Sequence, residues 1–254
     1  MRPSIASIAV VLLVVTAGCG GFVGDDGGTE TDESADDELL PGLTESAVTD
    51  RHALLREHYT ALEDEGYRID WERTVSDASG TVLEFENGST EVAADRTPAR
   101  ERFVREDENG SVEVERWSDG ETTIVRQNQF GSVTYVPGSR VPVEPTPPIP
   151  LGEAYDAVDS VAVEDGADER YVLEGTAEEL GSYESVSFTL VLAADGYLAA
   201  YALEGELAKD DDAPFAADRA FVEEEFALEP TESEPEEPNW LEDGLEEITE
   251  ETDG

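Results

Sequence analysis

The spacing of apolar residues changes once along the chain, near residue 66. From Thr44 to Gly66 apolar residues recur every three or four positions, which predicts an amphipathic helix with one apolar face. From Tyr67 onward apolar and polar residues alternate, which predicts strands with one buried face. Asn-Gly and Asp-Gly pairs lie between many of these runs and favour the positive φ angles that short hairpins need. The pattern therefore predicts a helix followed by an antiparallel meander.

The alternating runs predict nine or ten strands in one sheet. Their bounds are Tyr67–Ser76, Thr81–Glu86, Glu91–Asp95, Arg100–Glu106, Val112–Trp117, Thr122–Asn128, Arg170–Thr176, Ser185–Ala193, Tyr197–Glu206 and Phe221–Leu228, with turns at Asn87-Gly88, Asn109-Gly110, Asp119-Gly120 and Asp195-Gly196. Prolines between residues 137 and 150 predict a loop, because proline cannot donate to a β-ladder. A short helix is predicted in Gly152–Ser160. We expect a sheet of this size to curl and the first helix to cover its concave side.

The N-terminal segment is typical of an export signal. Ile5–Ala17 is apolar, but it would span only about 20 Å as a helix, which is less than the roughly 30 Å of a bilayer core. Residues 1–18 are therefore predicted to be a signal peptide. Thr16-Ala17-Gly18-Cys19 resembles the lipobox of secreted lipoproteins, and Cys19 is the only cysteine. That resemblance implies lipidation of Cys19, which would attach the protein to the extracellular face of the cell membrane through residues 19–43, a flexible acidic tether.

The strongly acidic composition limits which macromolecules this protein can bind through its charges. The formal net charge is −48, and all but one of the 15 basic residues are Arg, a balance that resembles the proteins of extreme halophiles. Such a charge excludes binding to nucleic acid through a phosphate-neutralising surface. In molar salt the Debye length falls to about 3 Å, so the repulsion among these acids is largely screened. Membrane association therefore has to come from the lipid anchor.

No catalytic constellation is evident, so we expect a non-enzyme without a cofactor. His52 and His58 are the only histidines. Their separation of six residues along a helix would place them on different faces. His58 falls in the apolar stripe, where a core or pocket-lining role is favoured over catalysis. Asp210-Asp211-Asp212 with Asp218 could bind calcium, but acidic runs are frequent here and a solvated loop is the preferred interpretation, so no metal site is assigned.

Two further segments carry predictions outside the core. Asn87-Gly88-Ser89 and Asn109-Gly110-Ser111 are N-x-Ser sequons, so Asn87 and Asn109 are candidate glycosylation sites on an exported protein. Residues 230–254 are predicted to be an acidic, solvated C-terminal tail. Within it, Trp240, Leu241, Leu245 and Ile248 have helical spacing, which favours a short helix docked on the domain over one that binds a partner.

The order of these elements carries a family resemblance. A lipobox, an N-terminal helix, an antiparallel meander and a proline-rich loop resemble the half-barrel (LolA-like) lipoprotein carriers and lipid-binding surface lipoproteins, closest to haloarchaeal ones, over residues 44–229. The resemblance implies an α+β fold, a curled half-barrel sheet whose concave face the helix covers, with an acyl chain held between them. Leu54, Leu55, His58 and Leu62 are then the candidate contacts for a lipid or other hydrophobic ligand. The alternative is a structural or sensory surface protein with a packed core and an unknown protein partner.

Overall fold

A computed structural model describes residues 38–139, 144–164, 166, 169–207 and 219–252. Contacts group residues 36–254 into one compact unit. Its helices are α1 (Arg51–Ala61), α2 (Leu151–Asp156) and α3 (Leu241–Thr252), and its strands are β1 (Glu38–Leu40), β2 (Leu43–Thr44), β3 (Gly66–Asp77), β4 (Val82–Val92), β5 (Ala99–Asp107), β6 (Gly110–Ser118), β7 (Thr123–Gln129), β8 (Ser132–Pro137), β9 (Val158–Glu164), β10 (Arg170–Leu180), β11 (Tyr183–Ala193), β12 (Leu198–Leu207) and β13 (Ala220–Thr231).

The fold is α+β and dominated by one open antiparallel sheet. Eleven strands join in the order β8-β7-β6-β5-β4-β3-β13-β12-β11-β10-β9, and β1 pairs with β2 separately. Two meanders, β3–β8 and β9–β13, therefore meet at the long β3–β13 pair in the centre. The main chain passes from one edge strand, β8, to the other, β9, through the proline-rich segment and α2. The sheet has eleven strands, one more than the nine or ten predicted from the sequence.

The two halves of the sheet are covered on opposite faces. We call the side that carries Ile69 and Phe226 the core face. On it, α1 and α2 pack against β3 and β10–β13 in the main apolar cluster. Alternate residues of β6 and β7 point to the other side, where α3 packs in a second cluster made of Trp117, Ile124, Trp240 and Leu241. All of these residues lie between 40 and 241, within the compact unit of residues 36–254.

The prediction of a turn at Asn87-Gly88 is wrong, because both residues lie inside the continuous strand β4. Gly88 faces the indole of Trp71, and a Cβ at this position would lie 2.3 Å from its Nε1 atom. Trp71 and Phe103 stack over the same row of the sheet, with ring centroids 5.9 Å apart. Glycine is therefore present to let an aromatic ring approach the backbone rather than to make a turn. The predicted strands Thr81–Glu86 and Glu91–Asp95 are thus one strand.

Two edge strands were missed by the sequence pattern. β8 lies between the predicted strand Thr122–Asn128 and the predicted loop, and its last residue, Pro137, is at the edge of the sheet. β9 follows the short helix α2. This helix ends at Asp156, whereas it was predicted to continue to Ser160. Merging one pair of predicted strands and adding these two changes the predicted ten into the observed eleven.

Helix α1 is shorter than the predicted Thr44–Gly66 because different residues terminate it. Asp50 is the N-cap, and its side chain accepts hydrogen bonds from the backbone N–H groups of His52 and Ala53. At the other end, the Arg96 guanidinium donates to the carbonyls of Leu62, Glu63 and Glu65. Gly66 belongs to β3. A cation at the C-terminal end of a helix also complements the helix dipole.

No helix in the described parts of the chain is both long enough and apolar enough to traverse a bilayer.

Candidate functional site: a groove between the two core-face helices

A groove of about 410 Å³ lies between α1, the proline-rich segment and α2. Helix α1 contributes residues from its first three turns, and the segment that enters α2 forms the opposite wall. The lining residues are Arg51, His52, Leu55, Tyr59, Thr146, Pro147, Ile149, Pro150, Leu151, Gly152 and Glu153. Tyr59 is 41% exposed at the groove, whereas Ile149 and Leu151 are buried behind it. The site therefore has an apolar floor and polar residues at its rim.

Gly152 of α2 faces Leu55 of α1. A Cβ added there would lie 3.5 Å from the Cδ1 atom of Leu55, at ordinary contact distance. On the neighbouring turn of α2, Arg51 of α1 forms an ion pair with Asp156 across the helix pair. Both charged side chains are partly exposed, so this contact contributes little to stability.

A buried hydroxyl beside the groove has no hydrogen-bond partner among the described residues. Tyr155 of α2 is 1% exposed, and its Oη atom is unpaired. Burial raises the pKa of this phenol, and the nearby Tyr59 raises it further. An unpaired buried polar group costs roughly 1–3 kcal/mol, so this hydroxyl lowers the stability of the domain.

His58 fastens the proline-rich segment to the core. Its Nδ1 atom accepts from the backbone N–H of Leu198 at 3.0 Å, so the ring proton is on Nε2, which donates to the carbonyl of Pro145 at 2.7 Å. The ring is fully buried, and burial lowers the pKa of His58, an effect that the Pro145 carbonyl partly offsets. A neutral histidine therefore joins α1, β12 and one wall of the groove.

The four candidate ligand contacts are not all in the same environment. Leu54 and Leu62 have no exposed surface and belong to the main apolar cluster between α1 and the sheet. His58 is equally buried and has both ring nitrogens paired within the protein. Leu55 is the one member of the set that lines the groove. Ligand contact at these residues stays a prediction, and the groove residues on α2 were not signalled by any sequence motif.

The core also contains a carboxylate that sequence reasoning missed. Glu224 of β13 is 2% exposed and accepts hydrogen bonds from the hydroxyls of Tyr183 and Tyr201, the first at 2.7 Å. Burial and the charge of Glu224 raise the pKa of both tyrosines, so they remain protonated donors. Phe226 stacks on Tyr201 and shields this cluster. The sequence concealed it, because Glu224 is the middle residue of the acidic run Glu223–Glu225 and nothing in that run distinguishes a buried carboxylate from an exposed one.

Next to Glu224 the core face becomes charged. In the register of the sheet, Glu224 pairs with Arg73 of β3, which pairs with Glu86 of β4. Arg73 contacts Glu86 at 2.8 Å, and Arg105 of β5 contacts Glu84 at 3.0 Å. Burial and the neighbouring Glu86 raise the pKa of Glu84. Arg73 and Arg105 thus neutralise acids that are partly buried in the sheet. We interpret this row of charged residues as part of the structure and not as a binding site.

The C-terminal residues predicted to have helical spacing do form a helix that packs on the sheet. Trp240 and Leu241 are buried against Trp117 and Ile124, and the Trp240 indole donates to the buried carboxylate of Glu115. Arg126 contacts the other oxygen of Glu115 at 3.2 Å. Leu245 is instead 44% exposed. Trp240, Leu241 and Ile248 thus belong to a helix docked on the domain, which was favoured over a helix that binds a partner.

The remaining candidate sites differ in how far the structure describes them. Asn109 is exposed in the β5–β6 turn, whereas Asn87 is half-buried inside β4. Cys19, residues 20–37 of the tether predicted over 19–43, and the Asp210–Asp212 run with Asp218 lie outside the described residues. The last part of that predicted tether instead contains β1 and the start of β2, where Leu40 and Leu43 are buried. In the described part of the chain, no group of three or more His, Cys, Asp or Glu residues is arranged to hold a metal ion.

Comparison with known proteins gives no relative: no protein-family model matches the chain, and no curated protein does so at a significant level.

Proposed function

We propose that this protein is a non-catalytic lipoprotein, anchored through Cys19 to the outer face of the cell membrane, which binds a hydrophobic ligand in the groove between α1 and α2. The observation that carries the proposal is the groove of about 410 Å³ with its apolar floor. Small-molecule sites typically have volumes of roughly 300–1,000 Å³, are mostly apolar and hold a few polar groups. In this proposal the sheet is a half-barrel of the lipoprotein-carrier type.

The ligand is placed in the groove rather than between α1 and the sheet. Leu54, His58 and Leu62 fill the latter space with side chains that have no exposed surface. Leu55 and Tyr59 present apolar surface to the groove, and Arg51 and Glu153 are polar residues that also line it. An acyl chain with a polar end group fits this combination, because its chain would cover the apolar floor while the end group remains at the rim.

The alternative is a surface protein that binds another protein and no small molecule. The packing of the space under α1 favours it, because a carrier needs an open cavity there and this one is filled. The first proposal expects the isolated domain to take up a lipid, and the alternative expects that it does not.

Native mass spectrometry of residues 36–254, produced in a haloarchaeal host and purified in high salt, tests the proposal. The expected result is a bound mass that organic extraction removes and that proves to be a lipid. A bare protein would then be titrated with the apolar dye Nile Red, whose fluorescence rises in an apolar site. No bound lipid and no rise in fluorescence would overturn the small-ligand proposal and favour the protein-binding alternative.

Variants locate the site. Tyr59→Ser and Leu55→Asp remove apolar surface from the groove, and we expect each to reduce dye affinity by about tenfold, the effect of roughly 1.4 kcal/mol. Val82→Asp is the matched control, because Val82 is 57% exposed and far from the groove residues in sequence. Equal binding by all three variants would place the dye elsewhere.

The anchor is tested on the full chain in its native host. Cys19→Ser is expected to move the protein from the membrane fraction to the soluble fraction, because Cys19 is the only thiol available for lipidation. Retention in the membrane would contradict the lipid anchor without affecting the groove.

A further inference from the structure

An uncharged stretch of chain forms one edge of the sheet. Residues 127–139 contain no Asp, Glu, Lys or Arg, although these make up 31% of the chain, and no longer uncharged stretch follows residue 24. These residues form the end of β7, the turn and β8. Phe130, Val133 and Val136 are exposed by 65%, 41% and 40%. The surface of a strongly acidic protein is therefore neutral and apolar along this edge.

The β8 backbone is available for pairing. Within the described residues, β8 pairs only with β7, so its outer edge presents unpaired N–H and C=O groups. Folded proteins normally protect such an edge with charged side chains, proline or a covering element. Here Pro137 stands at the last position only, and α3 packs on one face of β7 and β8.

The opposite edge of the same sheet is protected in the usual way. Strand β9 carries Asp159 and ends at Glu164, and acidic residues continue after it. Two copies of the chain that met at β9, or across most other surfaces, would bring like charges together. Two copies that met at β8 would bring together strands that carry no charge of their own. The difference between the edges therefore points to self-association at β8.

We propose that two copies of this chain associate through antiparallel pairing of their β8 strands, which joins the two sheets into one. Two identical strands that pair antiparallel are related by a two-fold axis, so each copy contributes the same surface to the interface. The strands supply backbone hydrogen bonds, and the exposed Val133 and Val136 of each copy gain apolar contacts beside them. This association is independent of any ligand in the groove.

Sedimentation of residues 36–254 in molar KCl tests the proposal. The expected result is a monomer–dimer equilibrium over roughly a hundredfold range of protein concentration. Thr134→Lys, at an exposed position of β8, is expected to raise the dimer dissociation constant at least about tenfold, since pairing would remove water from the ammonium groups. Ala162→Lys, at an exposed position of β9, is the matched control and should leave dimerisation unchanged.

Hydrogen exchange separates strand pairing from other contacts. Backbone amides of β8 are expected to exchange more slowly as the dimer forms, and those of β9 at an unchanged rate. Equal thermal midpoints for the two lysine variants would show that neither substitution unfolds the domain. A monomer at every concentration, a dimer insensitive to Thr134→Lys, or unchanged β8 exchange would each overturn the proposal. A monomer whose β8 amides become protected by a synthetic β-strand peptide would assign the edge to a different protein.

Discussion

Protonation of His58 should couple the stability of the domain to pH. The ring is neutral and buried, accepts from Leu198 N–H and donates to the Pro145 carbonyl. Protonation places a hydrogen on Nδ1, which then cannot accept from Leu198, and it leaves a charge in the core. Burial accordingly holds the pKa of His58 below its usual value of 6.5.

The sign of the pH effect follows from this lowered pKa. Above pH 6.5 the histidine is neutral in both the folded and the unfolded chain, so the full stability is present. As pH falls below 6.5 the unfolded chain binds a proton that the folded chain does not, and stability is lost until the pKa of the folded state is reached. One such proton changes the free energy of unfolding by at most about 1.4 kcal/mol per pH unit.

Comparing variants isolates this contribution from the many carboxylates. His58→Gln can keep the donor to Pro145 but leaves the buried Leu198 N–H unpaired, which should cost about 1–3 kcal/mol near pH 7.5. Below pH 6.5 the variant should lose stability less steeply than the wild type, because it has no imidazole to protonate. His52→Gln is the matched control, since His52 is exposed at the groove rim, and it should retain the wild-type slope.

The assay is urea unfolding at constant KCl concentration, followed by tryptophan fluorescence between about pH 7.5 and 5.5, on either side of the ordinary histidine pKa. The difference in unfolding free energy between wild type and His58→Gln should shrink as pH falls. A constant difference across this range, or an equal change in His52→Gln, would refute the assignment of a neutral, bridging His58.

Three other substitutions should report on the packing. Gly88→Ala should lower the free energy of unfolding by about 1–3 kcal/mol in urea titrations, since its Cβ would overlap the Trp71 indole; an unchanged value would contradict that close contact. Arg96→Ala should cost about 1–3 kcal/mol by calorimetry, because three carbonyls after α1 lose their donor, and Arg96→Lys should recover part of it. Trp240→Phe keeps an aromatic ring but removes the donor to Glu115, so proteolysis within α3 should become faster while the rest of the domain stays resistant; equal cleavage rates would argue against that bond.

The fold class was predictable because apolar alternation and hairpin turns are local signals. Gly110, Gly120 and Gly196 all have the positive φ angles that their turns require, as expected from Asn-Gly and Asp-Gly pairs. Gly88 follows an asparagine as well, but its role depends on Trp71 in a neighbouring strand. A dipeptide cannot distinguish a turn from a close approach of another residue, so the prediction of a turn there was wrong.

The candidate groove was less predictable than the fold, because residues from separate segments form it. Leu55 belongs to the apolar pattern of α1, but its position at the groove depends on α2 and the proline-rich segment, nearly a hundred residues later. That segment is held in place by His58 through a backbone carbonyl, which any residue type could supply. The carbonyl of Pro145 leaves no mark in a sequence pattern. Tertiary contacts of this kind can be recognised only when the fold brings them together.

The interactions proposed for the two candidate surfaces differ in kind from those that cover the rest of the protein. At molar salt, where charges are screened beyond about 3 Å, attraction or repulsion between exposed charges discriminates poorly among partners. Burial of apolar surface and backbone hydrogen bonds are not screened in this way. The groove and the β8 edge depend on those interactions, because one has an apolar floor and the other has no charges. Lipid uptake and strand pairing should therefore persist in molar KCl, whereas exposed contacts such as that between Arg68 and Asp70 should contribute little.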